Sequence, residues 1–516
     1  NLTVNFSVFQ GEGQRSDQPA FGRYLEGLPD SLGLGAVAPL AGQSGINPAF
    51  TQFHLRLGRF SFRSIGDFYD ITDVSTLAAD STRPVRRGIR TAYNELRYTW
   101  RAQEKWKFTA KYHTILQFPE FRGLPDSVLR DQARNTINRN RFNLTANYDP
   151  SHRIHWQFGV ESFRDFASAN LNRQLLPVGQ EDVSYFNTAL FGQGIFHLPL
   201  GYLTAGMRYD LNTTFGQAWV PRLAYTGKTD RFHLKLLASG AFRAPSVGNV
   251  AASFTGAYRI DSGQVIIEDR GLKPERTFVL EAEAGWQISR NLFVSASAYE
   301  MWARDPITSR FFQDSLLRTA FGPQAGLQVY QNASRAGTRG LEAELRFRAD
   351  WGYLNANYAY YSTGGKVQVP DFQPLGFAFD PTDRTAPTRS SLLAFPQHRL
   401  NLNACLYLRP QLSVNLSASY FSERQGYDIG LLPDNPGLLE GRLVSTPPQW
   451  LANVYVRYQG LILDGLDLGI GVYDLFNQGY DYYQAYFGLE APLPGPRREV
   501  MFSLSYDLSF KDKKER

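Results

Sequence analysis

A two-residue rhythm of apolar and polar side chains, sustained over runs near ten residues and repeated from end to end, constrains this chain more than any other feature. It is plainest in the closing stretch EVMFSLSYDLSF. There Val500, Phe502, Leu504, Tyr506, Leu508 and Phe510 alternate with Met501, Ser503, Ser505, Asp507 and Ser509, which are mostly small and polar. The same alternation sets Phe142, Leu144, Ala146 and Tyr148 against Asn143, Thr145 and Asn147, and Leu341, Ala343, Leu345 and Phe347 against Glu342, Glu344, Arg346 and Arg348. A period of two belongs to a β-strand with one dry face and one wet face. A tilted strand of about ten residues is also long enough to cross the hydrocarbon of a bilayer.

Composition says which dry surroundings these faces meet. The 516 residues are 43% hydrophobic and include 28 Tyr, 37 Phe and 8 Trp, yet the mean hydropathy is −0.33. No segment approaches the roughly 20 consecutive apolar residues of a spanning helix. A membrane barrel gives this combination, because water-facing and lipid-facing residues cancel in any average. With no water in the hydrocarbon, such a sheet closes on itself to satisfy its backbone, so the last strand is expected to pair with the first. The single Cys405 excludes an intramolecular disulfide and a Cys-rich metal site. A net charge of +6 with no concentrated basic patch argues against nucleic acid as a partner. The chain begins at Asn1 without a signal-peptide pattern, as a processed or truncated product would.

Connections sharpen the picture. Short turns, as at Gly58–Arg59, His197–Gly201, Gly227–Asp230, Ser289–Asn291 and Arg409–Pro410, alternate with long polar segments near 10–50, 67–90, 117–139, 164–182, 243–274, 304–327, 364–395, 422–448 and 477–496. One long-side connection, Asn212 to Gly216, is short. Outer-membrane barrels have this asymmetry, with short periplasmic turns and long outer loops. About twenty strands are expected, up and down over residues 1–510, with a charged periplasmic tail at 511–516. A soluble sandwich or propeller also alternates, but its strands average five or six residues. Aromatics gathered near strand ends, such as Trp100, Trp106, Trp286, Trp302 and Trp351, suit a lipid–water interface better.

Certain motifs go further. GAFRAPSVGN supplies Phe242, Arg243, Pro245 and Ser246; GLKPERTFVLEAEAGW supplies Leu272, Lys273, Pro274, Glu275, Glu283 and Gly285. YQNASRAGTRGLEAEL follows with Tyr330, Asn332, Gly340 and Glu342. With GMRYD (Gly206–Asp210), FPQHRLNL (Phe395–Leu402), VYDLFNQGY and the closing PGPRREVMFSLSYDLSF, their order resembles the barrel of TonB-dependent outer-membrane receptors over about 206–510. That resemblance implies a transmembrane antiparallel up-and-down β-barrel of the 22-stranded type. It implies a bacterial outer-membrane protein that imports a scarce large ligand (ferric siderophore, cobalamin or glycan) with energy from a TonB-type inner-membrane complex. It also implies a plug domain in the lumen, surrounding lipid and lipopolysaccharide, and a surface lipoprotein as a further partner. Neither a plug nor an energy-coupling segment is recognisable here, so the sequence is expected to start inside the barrel, near its third strand. The competing readings are a passive porin-like channel and a secretion or assembly barrel holding a partner protein.

Candidate residues divide into two groups. Arg243, Pro245, Ser246, Pro274, Glu275, Asn332, Gly340, Glu342 and Phe510 belong to the motifs, and an architectural role is favoured for them. Arg243 and Glu275 flank a long excursion at the feet of adjacent strands, where a charge-assisted pair would tie the loop. The two prolines mark where ladder pairing stops. The row Glu342, Glu344, Arg346 and Arg348 faces the lumen, to pair with neighbouring strands or a plug. The ligand candidates are Tyr480, Tyr482, Tyr483, Tyr486 and Phe487, an aromatic platform for sugars, catecholates or macrocycles, with loop-on-loop packing as the alternative. His152 and His155 sit at a turn and point to opposite faces, which disfavours a metal site. No nucleophile, phosphate loop or paired-acid motif suggests an enzyme, and no cofactor is expected.

Overall fold

The structure is a computed structural model. It describes residues 2–8, 11–12, 45–74, 84–122, 136–170, 180–246, 249–250, 258–261, 264–267, 271–312, 315–321, 327–333, 335–365, 392–432, 435–460, 465–482, 493–494 and 497–506. Twenty-two strand segments join one antiparallel sheet. Two of them, Gly11–Glu12 and Gly45–Ile46, are two-residue pieces that extend their neighbours, so twenty strands run up and down. Each pairs with the next in sequence, from Leu2–Val8 with Ala49–Leu57 through to Leu466–Tyr473 with Glu499–Tyr506. The expected join between the first and last strands is not among the described pairings. Leu2–Val8 and Glu499–Tyr506 each have one partner there, so the closure expected from the backbone argument is not part of the described register.

The faces are inverted relative to a soluble protein. Phe502 is 77% exposed and Leu504 68%, and large apolar side chains stand outward along most strands. Few apolar residues are buried. Two stacked sheets would have hidden these side chains in a common core. A sheet with this much outward oil suits lipid, and its other face carries Asn, Arg, Glu and Ser.

All eight tryptophans sit near strand ends. Trp100, Trp106, Trp156, Trp286 and Trp351 lie by the short turns, and Trp219, Trp302 and Trp450 at the long-loop end. By the short turns the rings form a chain: Phe60 and Tyr98 are 4.5 Å apart, Tyr98 and Trp100 5.5 Å, Trp100 and Phe108 5.1 Å, and Trp106 and Tyr148 4.3 Å. At the opposite end Tyr209 pairs with Trp219 at 4.5 Å and Tyr420 with Trp450 at 4.7 Å. Amphipathic rings at two levels are the girdles of a bilayer-spanning barrel.

Several strands are longer than the ten residues expected. Pro84–Ala102 and Gln180–Leu198 have 19 residues, and Trp106–Arg122 and Ile154–Asn170 have 17. Segments read as loop at 67–90, 117–139 and 164–182 therefore contain strand. The outward face explains why. Asn94, Thr114, Asn140 and Arg164 stand opposite one another across four strands on the side that carries Leu96, Phe108 and Phe142 lower down. Asn94 Nδ2 donates to Thr114 Oγ1 at 3.1 Å. Beyond this row the outward face mixes polar residues such as Arg90 and Asn138 with Phe68 and Phe118, the strict alternation ends, and the ladder continues. The long connections also carry structure: Tyr258–Asp261 pairs with Gln264–Ile267, Ile307–Phe312 with Leu327–Asn332, Arg424–Leu432 with Asn435–Thr446 and Asp481–Tyr482 with Leu493–Pro494, and Ser315–Phe321 is a helix.

A seam interrupts the wall between Gly216–Lys228 and Phe232–Arg243. Gly216–Lys228 pairs along its whole length with Gly201–Asn212, but with Phe232–Arg243 only from Arg222 opposite Ser239 downward. Pro221, which has no N–H, stands where the pairing stops, and its Cδ would lie 2.9 Å from a Cβ built on Gly240. Above it, Gly216–Val220 and Ala241–Arg243 have no pairing with each other among the described residues.

Candidate functional site

The motif residues gather at the long-loop rim. Arg243 ends one strand and Glu275 begins the next, directly opposite in register. The guanidinium grips the carboxylate through both Nε and Nη2, the latter at 2.6 Å from Oε1. The same Oε1 accepts the Ile307 amide at 2.6 Å, so Glu275 fixes the feet of two loops, not one. Asn332 does similar work with its amide. Its Oδ1 accepts the Lys273 N–H at 2.8 Å, while its Nδ2 donates to the carbonyls of Lys273 at 2.9 Å and Asp305 at 2.7 Å. Pro274 lies between the two clamps, just before the strand begins.

Pro245 and Ser246 serve the seam. Pro245 is almost wholly buried, and its carbonyl accepts the Tyr185 hydroxyl at 3.2 Å. Ser246 Oγ donates to Asn249 Oδ1 at 2.8 Å and accepts the Asn249 amide at 3.1 Å, making a turn that brings Val250 onto a small apolar cluster. That cluster holds Val183, Tyr185, Phe163 and Phe215. Phe215 belongs to the short connection Thr213–Phe215, which leaves a low point in the rim. The chain leaving Arg243 packs against that low point from the lumen side.

Beneath the cluster lies the most buried polar network of the wall. Arg139 forks onto Asp165 at 2.5 and 2.6 Å, with its guanidinium 4.8 Å from the Phe163 ring. Arg208 forks onto Asp210 at 2.7 and 2.8 Å and reaches Glu161 at 2.9 Å; Asn187 Nδ2 donates to Asp210 Oδ1 at 3.0 Å. Asp165, Asn187 and Asp210 are each at most 5% exposed. Burial of charge at this level requires such pairing. The sequence shows Arg208 and Asp210 as part of the GMRYD motif, but nothing in it marks Arg139, Glu161, Asp165 or Asn187 beyond the alternation that makes them lumen-facing.

Gly340 and Glu342 sit two strands on from Glu275, on Arg335–Ala349. A Cβ at Gly340 would collide with the Tyr360 carbonyl oxygen and lie 2.6 Å from Tyr299 Oη, so only glycine lets that ring cover the strand. Glu342 lines a polar groove with Glu283, Glu344, Ser295, Ser297 and Arg399. In that row Arg346 forks back onto Glu344 at 2.6 and 2.7 Å, and Glu283 holds both His233 and Lys235 at 2.7 Å. Pairing is thus within and between strands of the wall.

Of the aromatic platform, Tyr480 is described and half-buried. Its ring lies 4.2 Å from the Arg424 guanidinium and 5.0 Å from Phe421. It packs loop on wall. Tyr482 lies in a described strand, but its side chain does not, and Tyr483, Tyr486, Phe487 and Phe510 fall outside the described residues. The loop's base is tied firmly. Asp474 accepts the amides of Gln478 at 3.1 Å and Gly479 at 2.6 Å, and Arg497 caps the Asn477 and Gln478 carbonyls at 3.3 and 3.4 Å. At the short turns, His155 pairs with Asp149, and among the described residues no group of His, Cys, Asp or Glu could hold a metal ion.

A model of the TonB dependent receptor-like, beta-barrel family matches residues 31–475. No curated protein matches in sequence. Among solved structures, the ferric enterobactin receptor PfeA of Pseudomonas aeruginosa, in its R480A_Q482A mutant, aligns at TM-score 0.68 and 16% identity, over 98% of this chain and 75% of that one. The FrpB iron transporter of Neisseria meningitidis (F3-3 variant) aligns at 0.62 and 12%, over 90% and 72%. The siderophore receptor PirA of Acinetobacter baumannii aligns at 0.56 and 15%, over 90% and 78%. Twenty alternating strands, paired aromatic girdles, a charged lumen and clamped outer loops agree with these likenesses: the chain belongs to the TonB-dependent receptor family, as its β-barrel.

Proposed function

We propose that this barrel imports an anionic iron chelate of the siderophore class across the bacterial outer membrane, drawing energy from a TonB-type partner that acts on a plug in the lumen. The family's members are transporters and receptors, not enzymes. Twenty strands exceed the 16–18 of a diffusion porin, which counts against a passive channel. The outer membrane holds no ATP, so uptake against a gradient needs borrowed force.

One observation carries the choice of ligand class. Over the wall from Phe60 to Lys228, lumen-facing basic residues (Arg63, Arg97, Lys107, Lys111, Arg141 and Arg222 among them) outnumber the carboxylates Asp67, Glu95, Glu161, Asp165 and Asp210. A basic wall under an outer vestibule concentrates anions by long-range attraction. Cobalamin and neutral glycans gain nothing from it. The aromatic residues at 480–487 are proposed to receive the ligand first.

A strain lacking the gene, grown with defined ferric siderophores, cobalamin or glycans as the sole limiting nutrient, tests the reading. Growth should fail on one or more anionic ferric chelates and return with the gene in trans. Failure confined to cobalamin or a glycan would overturn the ligand class. Size-graded leakage of small solutes through purified protein in planar bilayers would overturn active import.

A further inference from the structure

We propose that the seam is a lateral slot for the alkyl tail of an acylated, anionic iron chelate, an inference that rests on the proposed import and names its ligand more closely. The break lies at the height of the outer leaflet. Phe232, by the short turn, stacks on Trp286 at 5.5 Å in the lower girdle. On the same strand Ser239, the last residue paired across the seam, is seven residues higher, and Arg243 eleven. At about 3.3 Å per residue and about 40° of tilt these lie roughly 18 and 28 Å above the girdle, against an apolar band of about 25 Å. The break therefore begins inside hydrocarbon and ends among headgroups. Pro221, with no N–H to offer, keeps the ladder from resuming. Unpaired backbone at such a depth is tolerated where it meets protein or a water-filled cavity, and the lumen is that cavity here.

The two sides of the break suit the two halves of an amphiphile. Outside, a shallow hollow of about 540 Å³ lies against the first pair below it, Leu223 opposite Ala238. Leu203, Leu236 and Leu280 complete its lining, with Glu300 at the edge. On the lumen side Arg222 stands at the lowest point of the break, exposed, with no hydrogen bond or ion pair among the described residues. Above it the lumen side carries Val220 and Ala218, and beside them the apolar cluster at Tyr185 and Phe215. A guanidinium without a counter-charge fits the anionic head of a chelate, and the hollow fits its tail. A complete ladder would force the whole tail out of lipid before the head entered the lumen, a penalty of about fourfold in equilibrium for each methylene exposed to water. Across the slot the tail stays in hydrocarbon while the head already rests on Arg222. The free backbone groups of Gly216–Val220 and Ala241–Arg243 then meet the amide or ester that joins head to tail.

The test uses the intact chain in lipid nanodiscs and two probes, the ferric complexes of one tris-catecholate chelator N-acylated with dodecanoyl or with acetyl. Binding of each is read by fluorescence quenching and corrected with protein-free nanodiscs. Wild type should prefer the dodecanoyl chelate at least tenfold. V220C/A241C places thiols on the two strands just above Pro221 and Gly240, and a bifunctional thiol reagent bridges them. The bridged protein should lose the preference and the unbridged one keep it. L223F/L236F fills the hollow without touching the ladder and should also lower the preference, whereas R222Q should weaken both chelates alike. Folding of each variant is checked by heat-modifiable gel migration. No preference in wild type, or an undiminished preference in either the bridged protein or L223F/L236F, overturns the slot. Equal competition by dodecyl sulfate, an anionic amphiphile without iron, would show a general detergent site and overturn the ligand class. A tail preference that persists while cells import neither chelate supports the slot and removes the proposed function; import of the acetyl chelate without any tail preference does the reverse.

Discussion

Asn332 and Lys273, 59 residues apart in sequence, exchange two backbone-to-amide hydrogen bonds of 2.8 and 2.9 Å across the rim of the barrel. A third bond from the same side chain reaches Asp305. One primary amide thus holds the ends of two long loops and the last residue of a hairpin. Replacing Asn332 with Ala strands three backbone groups and should cost about 2–3 kcal/mol of rim stability, at roughly 1 kcal/mol per bond. Asn332→Asp keeps the acceptor and loses both donors, so its cost should fall between. Urea titration in detergent, with proteolysis of the 244–274 and 305–331 segments as the local probe, measures both.

Glu275 should matter more than Arg243. The arginine is more than half exposed and its pairing is screened, so Arg243→Ala should cost no more than about 1 kcal/mol. Glu275→Ala also leaves the Ile307 amide without its acceptor and should cost about 1 kcal/mol beyond that. A double-mutant cycle on unfolding free energies would show the asymmetry; equal single-mutant costs would contradict it.

Asp210 collects Arg208 and Asn187 in a nearly solvent-free part of the wall. Removing it with Asp210→Ala leaves the half-buried Arg208 with Glu161 alone and the buried Asn187 amide without its acceptor, and a loss of about 2–3 kcal/mol is expected. Asp210→Asn preserves volume and should recover part of that loss. Thermal unfolding of the two variants against wild type tests the ranking.

Ile470 stands on the lipid face, opposite Phe502 and Val456. Ile470→Arg should cost about 2–4 kcal/mol if the residue lies near mid-bilayer, whereas Ile470→Met should be nearly neutral. Equal folding yields for the two variants in lipid vesicles would mean that this face does not meet hydrocarbon.

Tyr480 and its neighbours in sequence should separate into two roles. Tyr480→Ala removes a ring packed on Arg424 and Phe421 and should lower the melting temperature with or without ligand. Tyr483→Ala, Tyr486→Ala and Phe487→Ala should leave stability alone and weaken chelate binding by tenfold or more in combination. Binding isotherms paired with melting curves distinguish the two patterns.

The parts of the fold legible in the sequence are those where the two faces meet different solvents. Phe142–Tyr148 and Val500–Tyr506 alternate because one side touches hydrocarbon and the other water, and those strands were placed correctly. Above the lipid that contrast vanishes. Thr136–Arg141 reads TINRNR, polar on both faces, so it passed for loop although it continues a strand. The hairpin strands Arg424–Leu432 and Asn435–Thr446 were read as part of the 422–448 loop although Tyr427, Ile429 and Leu431 alternate with Gly426, Asp428 and Gly430. The Arg243–Glu275 contact was accessible from spacing, because both residues abut one excursion. The burial of Asp165, Asn187 and Asp210 was not, because it comes from four strands and a returning loop foot. Pro221 was in plain view as a mid-strand proline, but only the register shows that pairing never resumes above it.

That break gives the cylinder a preferred direction of compliance. A wall bonded on both edges of every strand resists radial strain equally around its perimeter. Here the upper part of Gly216–Lys228 is bonded on one edge, and Pro245 and Val250 pack beside the discontinuity on the Tyr185 and Phe215 side chains. Between these two strands the ladder offers no resistance to swelling of the mouth, and the Tyr185–Pro245 bond has to yield before the seam can spread.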